Sequence, residues 1–410
     1  MVVGTMVGAG IFVLPGQFAP YGWTGAAAWA AAGLGAMTIA LVLADLVAFR
    51  PEQPSLLALC GDVLGPAMGV MIAWSYWISI WVSNAVIATA AAGYLAAFVP
   101  PIGQSPLRIA LGGIAIVIAL TVANLRGPGT AGRIQVVTTI LKLLPLVVIL
   151  IILAGLLLGT GEAFSRYPHV PFDFGSLTPA LPLAFYALLG FESATLMTEL
   201  VRDPARNVAR AVIGGLAITT LVYYLVCTGI VMALPADRLA LSPMPMALFV
   251  EQFIGIGPAM VLALFAVIAA IGSLNGLILL QGEIPHSLAR SGLLPGWMAT
   301  TNRHGVAAAP LILASALTFV LMIAGATRFG GGVLDFLLRL TASVSIWFYF
   351  GACVAALILR RRRLLAAAGI VFSGWLFYST GLEAGGWGLA LMLLGLPVHF
   401  AAKRTVVRAA

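Results

Sequence analysis

Apolar positions in this chain come in unbroken runs, not at the period of a surface helix or a half-buried strand. Residues 144–158, for example, are apolar on every side, so the segment has no face to turn toward water. Comparable runs lie at about 1–17, 24–48, 67–99, 107–125, 134–158, 177–200, 209–234, 255–283, 309–326, 333–359, 364–382 and 386–402. Crossing a hydrocarbon core takes about 20 such residues. Barrel strands would alternate apolar and polar positions, and these runs do not, so they are read as helices. The pattern predicts an all-α polytopic membrane protein of about twelve spans. The first run is short, and the first span is expected to lack its N-terminal, cytoplasmic half. The third and eighth are long enough to tilt strongly.

Composition agrees: 62% of the 410 residues are hydrophobic and only 8% charged, too few polar groups to cover a soluble domain. The net charge of +8 comes mainly from arginines set between the apolar runs, which excludes a phosphate-binding face for nucleic acid and points to membrane topology. Arg50, Arg126, Arg133, Arg202, Arg206, Arg210, Arg290, Arg303, residues 360–363, Lys403, Arg404 and Arg408 fall in even-numbered gaps or the C-terminal tail. Odd-numbered gaps hold Arg108, Arg166, Arg238 and Arg328. The positive-inside rule places the even gaps and the C-terminus in the cytoplasm, with the chain in the inner (plasma) membrane. No cleavable signal peptide is expected. Cys60, Cys227 and Cys353 share no spacing motif and read as reduced packing residues.

Two spans carry signs of interruption. Gly4-Thr5-Met6-Val7-Gly8-Ala9-Gly10-Ile11-Phe12 packs three glycines into the first run, and Tyr186-Ala187-Leu188-Leu189-Gly190-Phe191-Glu192-Ser193-Ala194 places a glycine and a carboxylate mid-span in the sixth. Glycine tolerates unwound backbone. Breaks at matching places in two five-span halves point to a solute site, with helix N-termini for a carboxylate and free carbonyls for an ammonium. The halves are residues 1–158 and 176–359, related by inverted topology, with 364–402 as two further spans. The bland alternative is close helix packing through small residues, which Gly4 and Gly8 alone would satisfy.

At these residues the chain resembles the amino acid–polyamine–organocation superfamily, and most of all its bacterial arginine/agmatine antiporter branch. Further similar stretches are Tyr76-Trp77-Ile78-Ser79-Ile80-Trp81-Val82-Ser83-Asn84, Arg202-Asp203-Pro204-Ala205-Arg206-Asn207-Val208 and Ala289-Arg290-Ser291-Gly292-Leu293-Leu294-Pro295, in register over nearly the whole chain. The resemblance implies a five-plus-five inverted repeat (the LeuT-like fold) with broken first and sixth spans. It implies backbone near Met6, Gly8, Ala9 and Gly10 for a substrate carboxylate, and carbonyls around Tyr186, Ala187 and Gly190 for an α-ammonium. Asn84 and Ser343 match substrate-contacting positions. Three positions depart from the branch: Thr5 stands for asparagine, Tyr186 for a tryptophan over the guanidinium, and Leu277 for a second tryptophan. Tyr186 keeps a face for a cation–π contact, while Leu277 makes a neutral or smaller amino acid as good a candidate as arginine.

Charges within the spans carry the remaining chemistry. Lys142 lies about eight residues inside the fifth span, roughly 12 Å along a helix, long for snorkelling to the interface. An ammonium near mid-helix costs about 2.5–3.5 kcal/mol on insertion scales. It reads as a proton site or a fixed cation in place of a coupling sodium, a role that the resemblance also implies. Glu192 reads as a gating or proton-carrying carboxylate, or as a structural cap of the break. Glu199 is expected in an interfacial ion pair, Asp335 and Arg339 in an i,i+4 pair, and Asp45 as a solvated helix end. Trp23, Trp297 and Trp387 read as interface-belt residues.

Four scattered histidines and no carboxylate cluster argue against a metal site, a cofactor or an integral-membrane enzyme. The reading is therefore an amino-acid or amine antiporter. A proton-coupled symporter or exporter of neutral amino acids stands as the alternative, and a non-transporting sensor ranks behind both. Protons are candidate partners, and the oligomeric state, a homodimer included, is open.

Overall fold

The computed structural model describes residues 2–8, 10–53, 55–127, 131–159, 161–196, 198, 201–328 and 332–400. Its described residues form α-helices and short 3-10 turns, with no strand among them. Unbroken apolar runs leave no other way to satisfy the backbone in lipid.

The chain opens with α1 (Val2–Met6) and α2 (Gly10–Phe18), then α3 (Gly22–Phe49), a short α4 (Leu56–Leu64) and α5 (Pro66–Leu95). Next come α6 (Pro106–Leu125), α7 (Ala131–Leu158) and α8 (Phe174–Leu188), the last followed by a 3-10 turn at Phe191–Thr195. After α9 (Pro204–Ala233) there are two short helices, α10 (Ala236–Leu241) and α11 (Pro245–Phe253). The chain then runs through α12 (Ile256–Arg290), α13 (Ala308–Arg328), α14 (Val333–Ile358), α15 (Arg363–Ser379) and α16 (Gly381–Leu393).

Among the described residues nine helical stretches are long and apolar enough to cross a membrane, counting 10–49 as one, and 174–188 and 363–379 are shorter apolar helices. The chain is thus an all-helical polytopic membrane protein. The expected count of twelve treated every run as a crossing. The first run is divided into five- and nine-residue helices and the sixth gives α-helix only to Leu188, the two runs in which the sequence carried signs of interruption. The short helices α4, α10 and α11 lie in gaps between the apolar runs.

Packing separates an inner set from an outer one. α5 lies along α12 and α14, and α3 lies along α8 and α9. On α3 the buried residues Ala28, Ala32, Ala36 and Ala40 form an i,i+4 stripe of small side chains, which lets neighbouring helices approach closely. Outward-facing positions stay apolar: Leu111, Ile118 and Val122 on α6, Ile151 and Leu157 on α7, Ile218 and Leu221 on α9. Surfaces of that kind suit hydrocarbon, not water.

Polar ties hold the ends of the helices. Asp335 and Arg339 of α14 pair at 2.7 Å, as their spacing predicted, and Arg339 also donates to the Tyr21 hydroxyl at 3.3 Å. Asp45 corrects the sequence reading. It is not a solvated end but mostly buried, bonded to Arg361 at 2.9 Å and Arg362 at 3.3 Å, because the chain between α14 and α15 folds back over the end of α3. Trp23, Trp297 and Trp387 are about half exposed, as interface residues would be. Glu199, Lys403, Arg404 and Arg408 lie outside the described residues.

Candidate functional site

The two glycine-bearing segments meet. α1 stops at Met6, Gly8 turns back to donate its N–H to the Met6 carbonyl at 2.8 Å, and helix resumes at Gly10. In the sixth run α8 ends at Leu188, and Gly190 takes φ of +104°, a backbone state that costs any other L-residue about 1–2 kcal/mol. A Cβ at Gly190 would also lie 3.1 Å from the Thr5 carbonyl carbon. Thr5 fastens the breaks together: its hydroxyl lies 2.8 Å from the Val2 carbonyl, 3.1 Å from the Gly190 carbonyl and 2.9 Å from the Ser193 hydroxyl.

A helix end inside a membrane needs partners for its backbone groups, and this chain supplies several from side chains. The Tyr223 hydroxyl donates to the Met6 carbonyl at 3.0 Å, and the Tyr94 hydroxyl to that of Phe12 at 2.8 Å. Lys142, fully buried, points its ammonium at the Gly4 carbonyl at 3.5 Å, the long end of hydrogen-bonding distance. Glu192, also buried, accepts the Gly190 N–H on one carboxylate oxygen and the Tyr76 hydroxyl on the other, each at 3.0 Å. It therefore caps the second break and at the same time ties it to α5.

A cavity of about 100 Å³ lies between the breaks, room for several waters by the same measure. Its wall includes Thr5, Met6, Gly8, Gly10, Tyr186, Ala187, Gly190, Glu192 and Leu277, all singled out from the sequence. Tyr186 lies against the first turn of α2: a Cβ at Gly10 would come within 2.6 Å of its ring. Glycine at position 10 is thus what lets the aromatic face reach the broken span. The cavity opens on the N-terminal end of α2 and the C-terminal end of α8, opposite poles of two helix dipoles.

Two expected substrate contacts stand elsewhere. Asn84 and Ser343 are fully buried but not on the cavity wall, where Ser83 and Ser345 are found instead. The Asn84 amide is engaged with Gln281 of α12 at 2.8 Å, and Ser343 faces α16 so closely that a Cβ on Gly388 would overlap its hydroxyl. Lys142 packs behind α1 and off the wall. Ala9 lies outside the described residues. The wall also includes Ser79, Ser83, Ser193 and Ser345, which the sequence reading missed. Lone hydroxyls in apolar spans are common packing residues; Ser193 alone stood next to a break in the sequence, and Ser79, Ser83 and Ser345 lie on α5 and α14.

Comparison with known proteins points the same way. The family model described as amino acid permease matches residues 1–399. A putative arginine/ornithine antiporter of Bacillus subtilis (strain 168) is 30% identical over 392 residues, covering 87% of this chain and 81% of that protein. The cadaverine/lysine antiporter of Escherichia coli (strain K12) is 27% identical, covering 79% of this chain and 72% of its own length. The putrescine transporter PotE of the same strain is 25% identical, covering 96% and 92%. With a model matched over nearly its whole length and a site built where two interrupted spans meet, this chain belongs to the amino acid permease family, whose members are membrane transporters and not enzymes.

Proposed function

We propose that this protein is a secondary antiporter exchanging amino acids with amines of the arginine, lysine or ornithine kind. In this reading the chain crosses the plasma membrane twelve times and its C-terminus is cytoplasmic. Residues 1–158 and 176–359 form an inverted repeat, and 364–402 add two peripheral spans. Transport proceeds by alternating access about the cavity between α1, α2 and α8.

One observation carries the reading: the two helix breaks abut, through Thr5 and Gly190, around a common cavity. N–H groups at the start of α2 suit a substrate carboxylate, and carbonyls at the end of α8 suit an ammonium. Tyr186 offers a ring face to a cationic side chain. Glu192 links the second break to Tyr76, so protonating or displacing it would loosen that wall. Lys142 holds a positive charge against the carbonyl end of α1, where it acts as a fixed or proton-exchanging cation in place of a metal ion. The names of the relatives, antiporters and a transporter of dibasic amino acids and diamines, support the substrate class.

The test is counterflow in proteoliposomes. Vesicles preloaded with unlabelled arginine, lysine, ornithine or their diamines should accumulate external labelled amino acid above equilibrium. Uptake only with a proton gradient and without preloading would support the symport alternative, and binding without uptake would support a sensor.

A further inference from the structure

Four consecutive arginines, Arg360 to Arg363, carry the chain from α14 into α15. Arg361 donates to both carboxylate oxygens of Asp45 on α3, at 2.9 and 3.1 Å, and lies 4.8 Å over the Phe49 ring. Arg362 reaches the same carboxylate at 3.3 Å. Asp45 thus accepts three hydrogen bonds, and among the described residues it is the one acid that pairs with the cluster. Arg360 and Arg363 are exposed and form no ion pair there. Four guanidiniums stand against a single carboxylate, and Arg50 follows Phe49 at the end of α3.

The backbone holds this excess charge in an uncommon shape. Arg360 and Arg362 take φ of +58° and +34°, the left-handed region that residues with a side chain rarely enter. Arg362 occupies the place where a serine or aspartate would ordinarily cap α15, and its side chain makes no cap. The Ala366 N–H donates to the Arg362 carbonyl at 2.9 Å, so the N–H groups of residues 363–365 have no partner within the helix. Unpaired guanidiniums and free N–H groups therefore fall within four residues, a set of donors that calls for an anion.

The surroundings say which anion. Ile358 ends α14 at 57% exposure and Leu364 begins the run into α15 at 89%. Ala367, Val371 and Tyr378 continue from Leu364 as exposed residues, at the spacing of one helix face. From Leu364 to Tyr378 is about 21 Å at helical rise, more than half of a hydrocarbon core of about 30 Å. A free phosphate would make no use of this stripe. A phospholipid uses both parts, its phosphate on the arginines and an acyl chain along α15.

We propose that the 360–363 turn is a binding site for an anionic phospholipid. Arg360, Arg363 and the first N–H groups of α15 hold the phosphate, and Leu364 and Val371 receive an acyl chain. Arg361 and Arg362 fasten the turn to Asp45. A guanidinium can meet a phosphate with two parallel N–H bonds, which lysine cannot do. The site is independent of the solute that the protein carries.

The experiment titrates the full-length protein in neutral detergent with dioctanoyl phosphatidylglycerol or dioctanoyl phosphatidylcholine, counting bound lipid by native mass spectrometry. Wild type should bind phosphatidylglycerol at least about tenfold more tightly, and inorganic phosphate at equal concentration should not displace it. Arg360→Gln combined with Arg363→Gln should bring the two lipids within about twofold of each other. Arg363→Gln alone, which leaves both left-handed residues in place, should lower the preference about threefold. Arg108→Gln combined with Arg166→Gln, at exposed arginines of other gaps, should keep it. Melting in lipid-free detergent shows whether each variant is folded, and if the double glutamine variant melts early, Arg363→Gln alone decides. Equal binding of the two lipids by wild type overturns the proposal, as does a preference that survives the changes at Arg360 and Arg363. So does an equal loss in the Arg108 and Arg166 variant, or displacement by inorganic phosphate, which would make the turn a site for a soluble anion.

Discussion

Single residues carry the site, and their roles differ in kind. Gly190 is needed for its backbone. Its φ of +104° and the 3.1 Å approach of a Cβ to Thr5 mean that Gly190→Ala should cost about 1–2 kcal/mol in backbone strain alone. Its transport should fall sharply while the protein still reaches the membrane, checked by uptake normalised to surface expression. In the proposed mechanism Tyr186 acts through its ring. Tyr186→Ala should weaken binding of a cationic amino acid about tenfold, or about 1.4 kcal/mol, measured by titration, and equal affinity would remove it from the pocket. In the proposed role Lys142 acts through its charge: Lys142→Ala should abolish the pH dependence of exchange in proteoliposomes while leaving the melting profile close to wild type, because its hydrogen bonding among the described residues is one long bond to Gly4. Retained pH dependence rejects the proton role. The sequence made most of these residues legible because glycine runs and charges stand out in apolar spans. Asn84 and Ser343 were placed by similarity of position, and a shift of one or two residues on a helix, to Ser83 and Ser345, turns a side chain from the cavity to a neighbouring helix.

Among elements, the two interrupted helices depend on how their outer ends are fixed. Asp173 caps α8, its carboxylate accepting the Gly175 N–H at 3.2 Å and the Ser176 N–H at 2.9 Å, while its backbone N–H donates to the Thr24 hydroxyl at 2.8 Å. The Ser176 hydroxyl, followed by the Gly175 N–H, holds this carboxyl below the ordinary aspartate range. The cap is therefore fully present above the unfolded value, about 3.9, and is lost as pH falls through the lower folded value. Asp173→Asn should lower the melting temperature slightly at neutral pH and remove that acid-range dependence, followed by thermal unfolding in detergent across pH. Helix existence was legible from apolar runs and a break near Gly190 from its glycine and carboxylate, but the exact end of α8 at Leu188 was not. The apolar pattern continues past it, and what stops the helix is a tertiary fit, Gly190 seated on Thr5 and Glu192 bonded to Tyr76.

Across the whole molecule, the arrangement builds a cavity from backbone that soluble proteins would leave to water. Hydroxyls of Tyr94, Tyr223 and Thr5, the carboxylate of Glu192 and the ammonium of Lys142 serve the backbone groups that two helix breaks release. What remains between them is a cavity with a helix N-terminus on one side and a helix C-terminus on the other. The all-helical membrane fold and the family were readable from hydropathy and motif order, since lipid permits so few alternatives. The abutment of the breaks was an expectation that only packing could test. Counterflow by wild type and Gly10→Leu, inserted at equal levels, addresses the claim most directly, because a side chain at position 10 must collide with Tyr186 and fill the space between the breaks. Wild type should accumulate labelled arginine, lysine or ornithine against preloaded amine while Gly10→Leu does not. Exchange by Gly10→Leu at the wild-type rate would contradict the account.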